Sequence, residues 1–335
     1  MSRIWIFRLL ACGIPSVIGL IAICVFAYQK QVLVVEDSGE VTIQAPPLYV
    51  QEPGYEKTGH KYLYDAKLGW RNIANWQATT FGQELTTNSK HLRDREYEFE
   101  KPDGCQRILV LGDSFVWGYG VANRDIFTEV LEAQYANNAS PCEVINTGVS
   151  GWGTDQQYLY FLNEGKNYSP NIVVLAFYLG NDPMNCIGSI QYGLHKPVFV
   201  DLDLTLSNVP VPKPPADGVK KVASSIDRHE MAVRIIEEIA KECQSIDAEF
   251  VLMKFGVFQR PNHPAVLGAN SDFESKLDRI RESLHYLDLD GEFQKRGLTF
   301  TQLTQGVDDG HWNVFGHRMV ADILREFLSV NSLFR

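Results

Sequence analysis

Short, mostly apolar runs recur along the middle of this chain, and they constrain its fold more than any other feature. They read ILVLG at 108–112, EVIN at 143–146, IVVLAFYL at 172–179 and EFVLMKF at 249–255. None is long enough for an average helix, and most lack the polar alternation of a strand with one wet face. Runs of this kind are strands buried on both faces. GLTFTQL at 297–303 reads as a further, last strand. Between the runs the apolar residues take helical spacing, at about 126–135, 156–165, 227–245, 271–287 and 314–330. Strand and helix in alternation predict a parallel sheet covered by helices on both faces.

The amino-terminal part is of another kind. From Leu9 to Tyr28 the chain carries no charge, over the roughly 20 residues that a helix needs to cross a bilayer. Arg3 and Arg8 precede this stretch and only Lys30 follows closely. The positive-inside bias then puts residue 1 in the cytoplasm and the rest of the chain outside it, and the length of the run, with no clear A-x-A site after it, predicts a retained anchor. Residues 1–29 are expected to be stub and anchor, and 30–104 a tether and small pre-domain with Pro46-Pro47 and Pro53-Gly54 in the tether. Residues 105–335 form the main domain. Two β-like runs and several prolines at about 185–215 break its rhythm and predict a hairpin insertion facing the substrate.

Charge excludes one class of partner. The formal net charge is −10, and a strongly acidic chain repels phosphate backbones, so no nucleic-acid partner is expected. Four of the six cysteines lie beyond the apolar stretch, at 105, 142, 186 and 243. Cys105 and Cys142 each precede a predicted strand, and since the first and second strands of such a sheet are parallel neighbours, a disulfide between them is expected in an oxidising compartment.

Four motifs sit at the carboxyl ends of predicted strands or before the last helix. GDSF puts Ser114 directly after ILVL. A serine hydroxyl is a weak nucleophile until a base takes its proton, and an Asp-Ser pair by itself is only a helix cap. NTGVSGWG follows the second strand and contains Gly151; GND follows the third and contains Asn181. The N–H groups of Ser114 and Gly151 and the Asn181 amide form a candidate oxyanion hole. DDGHWNVFGH then places His311 on a loop with Asp308 and Asp309 beside it. One carboxylate can fix the imidazole tautomer while the other ring nitrogen faces Ser114. His317 reads as structural, and no third ligand joins it and His311 to make a metal site. The G-x-S-x-G elbow of α/β-hydrolases is absent around Ser114.

Taken together, these blocks resemble the SGNH (GDSL-like) hydrolase superfamily of the membrane-anchored bacterial type. Ser114, Gly151, Asn181 and His311 fall on its four named positions, within a resemblance covering about Arg107 to Val330. The resemblance implies a flavodoxin-like three-layer α/β/α fold and ester hydrolysis through an acyl-enzyme, with no cofactor and no metal. It also implies an acylated small-molecule or glycan substrate, since many members deacylate carbohydrates. Two details depart from the pattern or divide it. Gly180 touches Asn181 directly, where the family usually has one residue between them. Members differ in placing the acid two or three residues before the histidine, and the wording DGHWN favours Asp309 over Asp308. An O-acyltransferase using the same serine and histidine is the second reading, and a non-catalytic glycan-binding protein the third.

Overall fold

The computed structural model describes residues 33–35, 41–43, 62–80, 82–136, 141–213, 220–256, 258, 264–306 and 310–334. The chain divides into two compact units. One comprises Met1–Tyr49 and Tyr192–Leu194. Its described strands, Leu33–Val35 and Val41–Ile43, pair antiparallel with Leu33 opposite Ile43, inside the stretch expected as tether. The expected anchor, 9–28, lies outside the described residues, and among those described no helix is long and apolar enough to cross a membrane.

The other unit, Val50–Gln191 with His195–Arg335, contains the main sheet. Its strands are β1 (Gln106–Leu111), β2 (Cys142–Asn146), β3 (Ile172–Tyr178), β4 (Glu249–Phe255) and β5 (His285–Asp288). All neighbouring pairs are parallel, in the spatial order β5-β4-β3-β1-β2. That is the flavodoxin-like order, with its reversal between β1 and β3, where open α/β sheets bind ligands. The helices used below are α1 (Ser114–Trp117), α2 (Phe127–Tyr135), α3 (Thr154–Asn163), α4 (Asp182–Asn185), α5 (Arg228–Ser245), α6 (Pro264–Leu277), α7 (Leu289–Lys295), α8 (Phe300–Leu303) and α9 (Val314–Val330).

Alternation along the strands builds the three layers. Ile108, Val110, Val174, Ala176, Val251 and Met253 join Leu131 of α2 and Val320 and Leu324 of α9 in one apolar cluster. Phe177, pointing the other way, stacks on Phe273 of α6 with ring centroids 4.7 Å apart. Residues 172–177 of β3 are all buried, which is why this strand reads as an unbroken apolar run.

The carboxyl-terminal third corrects two expectations. The expected helix 271–287 ends at Leu277, and the fifth strand is His285–Asp288. This edge strand is four residues long, and only Leu287 in it is buried, so its pattern carries no buried-strand signature. The expected last strand, 297–303, contains the short helix α8 instead. Thr299 and Gln302 form a capping box there, with the Thr299 N–H donating to Gln302 Oε1 at 2.8 Å. The T-x-x-Q spacing is a helix-start signal, and it overrides the apolar alternation of the same segment.

The opposite edge of the sheet is closed by side chains. The N–H of Asn146 donates to Asp94 Oδ2 and that of Val144 to Glu132 Oε2, both at 2.7 Å. Satisfying these outward groups on β2 removes a site for pairing with another chain. Cys105 and Cys142 are free thiols, which corrects the expected bond. Cys142 stands opposite Gln106, so Cys105 is one residue out of register, and successive side chains point to opposite faces.

Candidate active site

Ser114 opens α1 immediately beyond β1. Asp113 caps the helix, its Oδ1 accepting the Phe115 N–H at 3.0 Å, and Gly118 ends it in the left-handed region. The first amides of a helix lack intrahelical acceptors, so the Ser114 N–H is presented at the sheet's carboxyl edge. Gly151 follows β2 with φ +83°, a conformation that favours glycine. Asn181 follows β3 as the residue capping α4.

The loop before α9 brings His311 back across the sheet. Its Nε2 lies 2.8 Å from Ser114 Oγ, across 197 residues of sequence. With the ring proton on Nδ1, the hydroxyl donates to Nε2, which is the arrangement for general-base activation of a serine. Asp308 and Asp309 lie outside the described residues.

Asp113, read from sequence only as a cap, does more. It is fully buried, and its Oδ2 accepts from Asn181 Nδ2 at 2.8 Å. A carboxylate accepts only, so this bond fixes which end of the amide is nitrogen. Burial pushes the Asp113 carboxyl above its ordinary range, opposed by the Phe115 N–H, the Asn181 amide and nearby His311. Asp182, on the next residue of the same block, is also fully buried and held well above the usual range, first by burial and then by Asp113. Its Oδ2 accepts the Tyr178 N–H at 2.7 Å and so ties the loop that carries Asn181 to the end of β3.

Two supports come from the segment before β1, and the sequence offered no sign of them. The Arg93 guanidinium, 2% exposed, donates to the carbonyls of Trp117 (2.9 Å), Gly118 (2.6 Å) and Val121 (2.6 Å). The first of these carbonyls ends α1, and the other two belong to the turn that follows it. Asn72 accepts from the Trp117 indole at 3.1 Å and donates to the Gly148 carbonyl at 3.3 Å, joining the Ser114 and Gly151 blocks. Gly148 is required by space: a Cβ there would come within 2.3 Å of the Trp117 backbone nitrogen. Trp152 and Trp70 add reciprocal indole-to-carbonyl bonds between the Gly151 loop and the hairpin Tyr62–Asp65/Gly69–Asn72.

The expected insertion contains a hairpin, Val198–Phe199 against Leu206–Ser207. Lys196 fastens it: this fully buried ammonium donates to the fully buried carboxylate of Asp155 on α3, and to the Pro197 carbonyl at 3.0 Å. His317 is structural, as expected. It is buried on α9, and its Nδ1 accepts the Phe127 N–H at 3.2 Å.

The sequence pattern that defines the GDSL-like lipase/acylhydrolase family matches residues 110–319, well over half of the chain. The chain belongs to this family. As a GDSL-like acylhydrolase it is an ester-hydrolysing enzyme. No curated protein matches it in sequence. Among solved structures, this acylhydrolase is similar to a lipolytic protein of the G-D-S-L family from Desulfitobacterium hafniense DCB-2, with 14% identity over 67% of this chain and 99% of that one and a TM-score of 0.43. It is also similar to a lipase/acylhydrolase from Enterococcus faecalis, at 15% over 68% and 96% with TM-score 0.43. The acetylxylan esterase Axe2 from Geobacillus stearothermophilus matches at 16% over 66% and 94% with TM-score 0.44.

Proposed function

We propose that this acylhydrolase is a serine esterase that removes acyl groups, O-acetyl first among them, from a glycan outside the cytoplasm. The observation that carries the reading is the 2.8 Å approach of His311 Nε2 to Ser114 Oγ at the reversal point of the sheet. Ser114 Oγ attacks the ester carbonyl as His311 takes its proton. The imidazolium then passes that proton to the departing alkoxide, leaving an acyl-enzyme. Water, deprotonated by His311, releases the carboxylic acid and restores the serine. Asp309, with Asp308 as alternative, orients the imidazole. The N–H groups of Ser114 and Gly151 and the Asn181 amide hold the oxyanion. The glycan rests on the resemblance of the four blocks to carbohydrate-deacylating relatives. The extracytoplasmic anchor rests on the uncharged stretch 9–28 with Arg3 and Arg8 before it.

The test is release of p-nitrophenol from its acetate by the full-length chain, with and without a sugar acceptor. Ester cleavage without acceptor is expected, with Ser114→Ala losing several orders of magnitude in rate. Turnover only with acceptor identifies an acyltransferase instead, and a Ser114→Ala protein with wild-type turnover removes the nucleophile. The same preparation is expected to stay with membranes after an alkaline wash; recovery in the soluble fraction refutes the anchor.

A further inference from the structure

The His311 ring is bounded by aromatic surface. Tyr119 lies nearly parallel to it, at a centroid distance of 4.2 Å and an angle of 24°. Phe115 lies at 4.8 Å and 31°. The two differ in their own support. Phe115 is buried and packed against Tyr178, Phe255 and Trp312. Tyr119 is only partly buried, and it follows the left-handed Gly118 that ends α1. Its N–H donates to the Ser114 carbonyl at 3.1 Å, so the residue that stacks on the base is bonded to the residue the base serves. On the other side, Gln305 donates its N–H to the His311 carbonyl at 2.9 Å, and a Cβ on Gly120 would meet the Gln305 side chain within 3 Å. The turn after α1 and the histidine loop are therefore built against each other.

From this geometry we infer that Tyr119 is a positioning residue for His311. Its ring holds the imidazole in the plane from which Nε2 reaches Ser114, and its π face favours the imidazolium formed when the proton is taken. The inference rests on Ser114 and His311 being the reacting pair. An aromatic face attracts a cation within about 6 Å of its centroid. Until it takes the serine proton, the imidazole meets Tyr119 by ordinary stacking. In acylation it becomes a cation and the attraction grows, so the contact is stronger in the transition state than in the ground state, as catalysis requires. Among the described residues, the titratable groups that act on His311 include Ser114 from α1, Asp113 just before that helix and His317 from α9. Asp308 and Asp309 share its loop in sequence.

The test compares the full-length protein with Tyr119→Phe and Tyr119→Leu, by kcat, KM and the pH profile of kcat/KM on p-nitrophenyl acetate. Phe keeps the π face, and its kcat and profile are expected within twofold of wild type. Leu keeps bulk without the π face. Its kcat is expected to fall about fivefold, the scale of a partly exposed cation–π contact, with KM and thermal unfolding unchanged. Its acid limb is expected to move to lower pH by about half a unit, because the protonated base has lost a stabilising neighbour. An unchanged acid limb in the Leu variant overturns the inference. So does a loss in Phe equal to that in Leu, which assigns the effect to the hydroxyl, or a rise in KM alone, which makes Tyr119 a substrate contact. If Ser114→Ala kept activity, the reacting pair itself would fail. An inactive Ser114→Ala beside a wild-type Tyr119→Leu sinks only the role of Tyr119.

Discussion

Replacing Lys196 by Met separates the charge of the insertion's buried anchor from its bulk. Both side chains of the Lys196–Asp155 pair are fully buried. Burial pushes the Asp155 carboxyl up and Lys196 opposes that shift. With the ammonium gone, Asp155 keeps the Gln156 N–H at 2.9 Å, and among the described residues no other cation replaces Lys196 at this carboxylate. Removing one partner of a buried pair costs about 3–5 kcal/mol, since an uncompensated charge remains in the interior. For a domain of this size each kcal/mol lowers Tm by about 2–4 °C, so a drop of roughly 10 °C is expected. The penalty has a pH sign. In Lys196→Met the folded carboxyl titrates well above the unfolded one. The folded state therefore stays protonated where the unfolded state has ionised, and stability falls as pH rises through that window. The gap from wild type should then be small near pH 4 and widest at neutral pH. Urea unfolding of wild type, Lys196→Met, Asp155→Asn and the double variant measures the coupling, with the double expected to regain most of the loss. A Lys196→Met protein within about 1 kcal/mol of wild type at pH 7, or a double variant no better than the single, would refute the reasoning.

Two further perturbations address the site and its support. Asn181→Ala removes an amide that Asp113 holds by a 2.8 Å bond; kcat for ester cleavage should fall about 10²–10³-fold with KM little changed, and a fall below threefold would take Asn181 out of the oxyanion hole. The buried His317 accepts the Phe127 N–H and is pushed down to about 3 by burial, with Arg93 and His311 adding to the shift. Below the ordinary pH of about 6.5 the unfolded state binds a proton that the folded state refuses, so stability should fall by about 1.4 kcal/mol per pH unit towards pH 3. In His317→Gln that slope should flatten in chemical unfolding measured from pH 6 to 4, and an identical slope in both proteins would remove His317 as its source.

How much of this was legible in the chain differs by element. Four of the five strands announced themselves because they are buried on both faces, and α5 and α9 because their apolar stripes repeat at helical spacing over four or more turns. The edge strand His285–Asp288 gave no such sign, since its exposure leaves three of its four residues free to be polar. Segment 297–303 shows the converse: Thr299 and Gln302 cap a helix locally, and local hydrogen bonds won over an apolar alternation that had no sheet edge to join.

The candidate site divides in the same way. Ser114, Gly151 and Asn181 were readable as candidates because each follows a strand, and a parallel sheet delivers the carboxyl ends of its strands to one edge; His311 follows the short helix α8 instead and reaches Ser114 from its loop. Sequence alone could not give the partners that hold them. Arg93 on the end of α1, Asn72 between two loops, Asp113 on the Asn181 amide, Tyr119 on the His311 ring and Lys196 on Asp155 are ordinary residues in ordinary surroundings along the chain. Their roles arise from burial, which leaves carbonyls, amides and charges needing a partner that only a distant segment supplies. Strand pattern and motif thus determined the scaffold and named the candidate reacting groups. Tertiary packing decided their orientation, because satisfying a buried polar group depends on what the fold brings within hydrogen-bond reach.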